Sequence, residues 1–104
     1  MERYNFAAYV LQEIAGQDGT GGATPATIRT LVDGRQRVYL TDQELATALE
    51  GLVAAGHVAE DGGRYTIRPT LQPRLPRNAD GTVTMDWRIW ESLSRELGIV
   101  AADA

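Results

Sequence analysis

Residues 38–68 hold the pattern that most restricts the fold, a helix marked at both ends and followed by a hairpin. Thr41 and Glu44 have the spacing of a capping box, in which each side chain satisfies the other residue's free backbone N–H at a helix start. Gly56 supplies the left-handed residue that commonly ends a helix. The apolar residues between these signals recur at helical spacing, at Leu45, Leu49, Leu52 and Val53. The sequence therefore predicts an amphipathic helix over 41–55.

The residues after this helix predict a β-hairpin. Segments 57–60 and 64–68 have strand-like composition, and the Asp-Gly-Gly sequence at 61–63 is a strong turn signal between them. Before the helix, segment 35–40 alternates only partly, but Val38 and Tyr39 favour extended backbone there.

Three more helices are predicted outside this region. An apolar stripe marks the first over 3–15. A Thr-Pro pair starts the second over 25–33, where Asp-Gly ends it. Three prolines interrupt regular structure across the start of an arm over 70–83. The last helix occupies 84–98, and its candidate caps are Thr84 and Asp86. The fold class is mainly α with a small β-hairpin (α+β), in units 1–69, 70–83 and 84–98.

Composition narrows the classes of function. A chain of 104 residues fits one domain with a modest core. The lack of cysteine excludes disulfides and thiolate catalysis, and a single histidine leaves little for a metal site. The sequence has no apolar run of about 18 residues and no signal-peptide pattern at its start. We therefore expect a cytoplasmic chain without membrane segment, cofactor, bound metal or catalytic residue.

The helix and hairpin of residues 41–66 resemble the winged helix-turn-helix superfamily, as found in small prokaryotic transcription regulators. The resemblance covers about 3–69 and implies a winged helix-turn-helix with an additional C-terminal helix. In it, 41–55 is the recognition helix and 57–68 is the wing. DNA-binding members place the recognition helix in the major groove and grip phosphates with basic residues. The last helix is similar to the dimerisation helix that many such regulators append.

The first function that the resemblance implies is a non-catalytic DNA-binding transcription regulator, with double-stranded DNA as its partner and two sets of contact residues. Candidates for base readout are Gln43 and Thr47. Candidates for phosphate contact are Arg29, Arg35, Arg37, Arg64 and Arg68. Arginines of loops and edge strands are also ordinary solvated residues, so this role stays one of two interpretations.

The charge of the central region favours a different partner. From Val38 to Gly63 there is no lysine or arginine, and the same stretch holds five acidic residues: Asp42, Glu44, Glu50, Glu60 and Asp61. An acidic surface repels phosphates. The net charge of −4 and pI near 4.8 likewise give no general affinity for nucleic acid. The alternative is therefore a protein-interaction module that uses the acidic third helix or the last helix.

The last helix carries an apolar face that has two interpretations. It either closes the chain's own core or contacts a partner, for which tryptophan is a common anchor. A homodimer in which the first and last helices pair is expected. The candidate contact residues are Tyr4, Trp87, Trp90, Leu93 and Leu97.

Single residues that could carry chemistry have simpler explanations. His57 can titrate near neutrality, but it starts a strand and is expected to be a half-buried structural residue. The acids Asp42 and Glu44 sit in the first turn of a helix, where acids are stabilising. Ser92 and Ser94 lack a nearby histidine and the glycines of a nucleophile elbow, so hydrolase chemistry is not expected.

Overall fold

The computed structural model describes residues 6–17 and 19–99, and it is mainly α with one antiparallel hairpin, as predicted. Residue 4, a predicted contact, lies outside the described residues. The elements are α1 (Phe6–Gly16), α2 (Pro25–Leu31), α3 (Asp42–Ala54), β1 (Val58–Asp61), β2 (Arg64–Ile67) and α4 (Trp87–Glu96). No helix within these described ranges is long and apolar enough to cross a membrane.

The α3 helix begins and ends where its sequence signals predict. The Thr41 hydroxyl accepts a hydrogen bond from the Glu44 backbone N–H at 3.0 Å, and the Glu44 carboxylate accepts one from the Thr41 N–H at 2.8 Å. Gly56 has a φ of 83°, the left-handed conformation that the helix end requires. The apolar face of α3 packs inward, with Leu45, Ala48, Leu49 and Leu52 buried. Val53, which was predicted on this face, is instead 39% exposed, because it lies beyond the edge of the buried stripe.

The hairpin follows with β1 and β2 in antiparallel register, Val58 opposite Ile67 and Asp61 opposite Arg64. Both residues of the predicted Gly62-Gly63 turn have positive φ, which glycine adopts without steric cost. Inward and outward residues alternate along β2, with Ile67 buried and Arg64 and Thr66 exposed. The hairpin thus covers one side of the core.

A third segment pairs with β2 and was missed by the sequence interpretation. The Ala23 N–H donates to the Tyr65 carbonyl at 3.0 Å, and the Tyr65 N–H donates to the Ala23 carbonyl at 2.8 Å. The adjacent Gly22 (φ 103°) packs so closely that an added Cβ would lie 3.0 Å from the Thr66 side chain. The glycine-rich loop before α2 therefore joins the hairpin through a single bridge pair at Ala23.

The second helix does not end at residue 33 as predicted. Its helical path continues as a wider π-helical turn over Val32–Gln36, and Arg37 closes it with a φ of 60°. Arg35 and Gln36 are thus helical, not extended as the partial alternation predicts. The wide turn brings both side chains to Glu13 of α1, a contact across the fold that no local pattern encodes.

The arm over 70–83 belongs to the core. Its leucines Leu71 and Leu75 are buried on either side of a short 3₁₀ turn at Gln72–Arg74. Asp86 caps α4 by accepting from the Arg88 N–H at 3.0 Å. Trp90 is fully buried, and its indole N–H donates to the Thr84 carbonyl at 2.6 Å. The arm and α4 therefore close the same core that α1 and α3 build.

Candidate functional site

The outward face of α3 is acidic and polar. Asp42, Gln43, Thr47 and Glu50 are all exposed, and the Asp42 side chain is 94% exposed. The two predicted base readers contact each other, because the Gln43 amide donates to the Thr47 hydroxyl at 3.1 Å. No arginine or lysine lies on this helix. The face has hydrogen-bonding groups but no positive charge.

Two of the predicted phosphate contacts are held by carboxylates of the chain itself. Arg29 forms an ion pair with Asp42 at the start of α3. Arg35 donates from its Nε to Glu13 at 3.1 Å. The first pair is exposed and costs little to separate. The second is different, because Glu13 is only 1% exposed and would be left in the core without its charged partner.

The Glu13 carboxylate is the one buried acid in the described part of the chain. Its two oxygens accept from Arg35 Nε and, at 2.9 Å, from the Gln36 amide. Burial raises the pKa of Glu13, and the hydrogen bond from Gln36 and the charge of Arg35 oppose that rise. Arg35 and Gln36 therefore join α1 to the turn before α3, which makes Arg35 structural.

The other three predicted phosphate contacts are exposed. Arg37 lies in the connection between α2 and α3, and Arg64 and Arg68 lie on the outward side of β2 and just after it. The Arg64 guanidinium donates to the Gly22 carbonyl at 3.2 Å, which still leaves it at the surface. None of these three arginines lies on α3.

A cavity of about 510 Å³ lies on one flank of α3, between the start of α1 and the end of α4. We call it the α3 groove. Its floor and walls are mostly apolar and include Phe6, Leu52, Ala55, Leu97 and Ile99. Its polar lining comes from Gln43, Glu44, Thr47 and His57. The groove thus places an apolar recess beside the acidic face of α3.

Gly51 lines this groove in the middle of α3. Its backbone is ordinary helix, and a Cβ added there would meet nothing within 4 Å. Neither a positive φ nor close packing within the chain requires glycine at this position. Glycine inside a helix costs about 1 kcal/mol relative to alanine. The residue therefore keeps space open against the backbone of α3 at a cost in helix stability.

His57 lies at the groove and before β1. Burial and the nearby positive charge of Arg74 lower the pKa of His57. Its carbonyl accepts from the Arg68 N–H at 3.0 Å, which extends the hairpin by one pair. His57 is half-buried as expected, but it lies one residue before β1 and not within the strand.

The predicted contacts on α4 have different environments. Trp90 and Leu93 are buried in the chain's own core, so they present no surface to a partner. Trp87 stacks on Tyr9 of α1 with ring centroids 4.6 Å apart, and both are half-buried. Leu97 lines the α3 groove. First and last helices do pair, within one chain, and the homodimer stays a prediction for light scattering to test.

The groove combines residues that sequence patterns do not connect. Phe6 and Ile99 are distant in the chain and meet only because α1 and α4 pack together. Gly51 carried the one available signal, since a glycine within a helical pattern calls for an explanation. Within residues 6–17 and 19–99, no group of three or more potential metal ligands comes together.

Comparisons with known proteins give no assignment. No family model matches the chain, and neither the curated proteins nor the solved structures searched include a match.

Proposed function

We propose that this chain is a non-catalytic winged-helix module that binds another protein through α3. The order α1, α2, α3, β1 and β2 supports the winged-helix interpretation. The isolated Ala23–Tyr65 bridge, which joins the segment before α2 to the hairpin, also supports it. In this arrangement α3 is the outward helix, and its surface determines the partner.

The observation that carries the proposal is the charge of the α3 face. Asp42, Glu44 and Glu50 lie on α3, and no arginine or lysine occurs from Val38 to Gly63. DNA binding draws most of its affinity from positive groups that neutralise phosphates and release counterions. An acidic helix in the major groove would lose that contribution and add repulsion. A protein with a basic surface gains from the same charges.

The arginines around α3 do not reverse this conclusion. Arg29 is paired with Asp42, so a phosphate that takes this arginine leaves Asp42 unpaired beside the DNA. Arg35 holds the buried Glu13. Moving Arg35 to a phosphate would leave the buried Glu13 carboxylate without a positive partner and with only the Gln36 amide as donor, which is unfavourable.

A DNA-binding transcription regulator is the second candidate. Arg37, Arg64 and Arg68 are exposed around α3, and Gln43 and Thr47 face outward on it with amide and hydroxyl groups that can read base edges. In this alternative the wing and the turn before α3 provide the phosphate contacts, and α3 contributes hydrogen bonds without charge.

Titration with random duplex DNA over a range of salt separates the two candidates. We expect no binding at about 50 mM salt, where phosphate contacts are strong. Binding that weakens steeply with salt would overturn the protein-binding proposal and favour the regulator. The slope would also report how many phosphates are neutralised.

A second measurement tests the partner directly. A photo-crosslinking amino acid at the exposed Ala46 of α3 is activated in a lysate of the source cells, with the exposed Ser92 of α4 as control position. The proposal expects adducts at Ala46 that resist nuclease and are destroyed by protease. Adducts that nuclease removes, or no excess over the Ser92 control, contradict it.

A further inference from the structure

The α3 groove has a volume of about 510 Å³, and most of its lining is apolar. Phe6, Leu97 and Ile99 contribute apolar side chains from the two helices that flank α3. Its volume of about 510 Å³ can receive several apolar side chains of a partner. Partner anchors that fill such recesses supply most of the binding energy in protein interfaces.

The floor of the groove is shaped for close approach of an elongated partner. Thr47, Gly51 and Ala55 recur every four residues along α3, and all three line the groove. Residues four apart lie on one face of a helix, so these small side chains form a continuous shallow track. Gly51 deepens the track at its middle, where an added Cβ would have open space. A helix is the element whose side-chain rows fit such a track.

The charges beside the groove indicate the charge that a partner's binding surface should carry. The Glu44 carboxylate is part of the lining, and the exposed Asp42 and Glu50 lie on the same helix. Among the lining residues within 6–17 and 19–99 there is no arginine or lysine. Arg74 is the positive group near His57, and it is paired with Glu96 at 3.0 Å. A second copy placed with its own α3 against this one would bring like charges together, which is unfavourable.

Resting on the proposed function, we propose that the α3 groove binds an amphipathic helix of a partner protein. This helix carries apolar residues at the i, i+3, i+4 and i+7 spacing of one face, and arginine or lysine beside them. The apolar residues fill the space between Phe6, Gly51 and Leu97, and the basic residues lie over Glu44, the acid of the groove lining.

Selection from a library of displayed helical peptides tests this proposal. The full chain is the target, and the library varies both the apolar spacing and the charge of the flanking positions. We expect enriched peptides to be basic and to carry apolar residues on one helical face. A selection that enriches nothing, or enriches acidic peptides, overturns the proposal.

Two matched variants locate the binding. Gly51→Leu fills the groove, and the space around Gly51 accepts the new side chain. Ala54→Leu adds a leucine to an exposed position of α3 outside the groove. For an enriched peptide, Gly51→Leu should weaken binding at least about tenfold, or ~1.4 kcal/mol, and Ala54→Leu should leave it unchanged. Far-UV circular dichroism verifies that both variants fold.

The remaining outcomes also decide the question. Equal peptide binding by Gly51→Leu and the parent chain places the peptide elsewhere and overturns the groove proposal. A dimer of the parent chain that Gly51→Leu dissociates identifies a second copy as the occupant and overturns it too. A different result, salt-dependent binding to DNA, would contradict the proposed function. Protein adducts at Ala46 with no peptide effect at Gly51 would leave that function standing and remove only the groove.

Discussion

At the scale of single residues, Glu13 shows how one carboxylate fixes the geometry of the α3 region. It lies on α1, yet its partners Arg35 and Gln36 belong to the π-helical turn that leads into α3. These two hydrogen bonds therefore fix the position of the turn relative to α1. The same ion pair engages the Nε of Arg35 with Glu13, although the Arg35 side chain stays 47% exposed.

The raised pKa of Glu13 predicts a specific dependence of stability on pH. The folded chain holds this proton more tightly than the unfolded chain, whose glutamate has its ordinary pKa of 4.5. The contribution of Glu13 to stability is therefore largest below 4.5 and is lost as the pH rises through its folded pKa. Compared with Glu13→Gln, the parent chain should gain stability as the pH falls from neutral toward 4.5. The gain has an upper limit of ~1.4 kcal/mol per pH unit.

Urea unfolding of both proteins at several pH values measures this difference. Glu50→Gln is the control, because it removes one negative charge from an exposed site of α3 and leaves Glu13 in place. A constant difference between the parent and Glu13→Gln across the pH range would show that Glu13 does not bind its proton as proposed.

At the scale of elements, α3 depends on its capping box. Thr41→Ala removes the hydroxyl that accepts from the Glu44 N–H and leaves that donor without its partner in the chain. We expect a loss of about 1 kcal/mol in the free energy of unfolding, which lowers the melting temperature by about 4–8 °C in a domain near this size. Thermal unfolding followed by circular dichroism measures the shift.

Thr47→Ala is the matched control for this cap. It removes a hydroxyl of the same kind from an exposed position inside α3, where alanine is the better helix former. Its melting temperature should stay close to that of the parent. Equal losses in the two variants would mean that the capping box contributes nothing particular to α3.

The charge of α3, and not its position, is expected to prevent DNA binding. Replacing the exposed Glu50 and Ala54 by lysine adds positive charge to the outward face without touching buried residues. This double variant should gain affinity for random duplex DNA. The slope of log K against log salt should steepen by about 0.9 for each new phosphate contact. Fluorescence anisotropy of labelled DNA gives both quantities.

A pair of substitutions on α4 controls for added charge alone. Glu91→Lys with Ser92→Lys makes the same change in net charge on another helix, at one half-buried and one exposed position. Equal gains from the α3 and α4 variants would indicate nonspecific attraction. No gain from the α3 variant would show that α3 is not placed for a groove, which argues against the winged-helix interpretation itself.

The elements that the sequence predicts best are those with complete local signals. The capping box, the leucine face and the glycine turn of residues 41–63 each depend on neighbours in the chain, and the structure has them as predicted. The π-helical turn and the Ala23 bridge are not predictable in the same way. Each is stabilised by a partner distant in sequence, Glu13 for the turn and Tyr65 for the bridge.

At the scale of the whole molecule, the candidate site depends on packing that local patterns do not specify. The acidic face of α3 could be identified from sequence, because helical spacing alone assigns Gln43, Thr47 and Glu50 to one side. The groove beside it could not be predicted from sequence, because it forms where the start of α1 and the end of α4 lie next to Gly51. Likewise, the sequence pattern allows Trp90 to face either a partner or the core, and only the packing of α4 in the structure buries it.

The burial of Leu71, Leu75 and Trp90 in one core predicts that the arm and α4 unfold together with the rest of the chain. Both tryptophans lie on α4, so tryptophan fluorescence reports the unfolding of that helix. Far-UV circular dichroism reports the unfolding of all the helices. The two transitions in urea should coincide, as two-state unfolding requires. Leu75→Ala should lower the free energy of unfolding by about 2–5 kcal/mol, and both signals should report the same decrease.

Independent units would behave differently in the same experiment. If residues 1–69 formed a domain to which the last helix is only attached, Leu75→Ala would shift the fluorescence transition and leave most of the circular dichroism signal in place. Thr70→Ala is the control, since it changes an exposed residue of the same arm and should move neither curve. Because α4 also forms one wall of the α3 groove through Leu97, coincident transitions would mean that the groove persists only while the whole core is folded. Separate transitions would instead mean that α3 and its acidic face stay folded after α4 has unfolded.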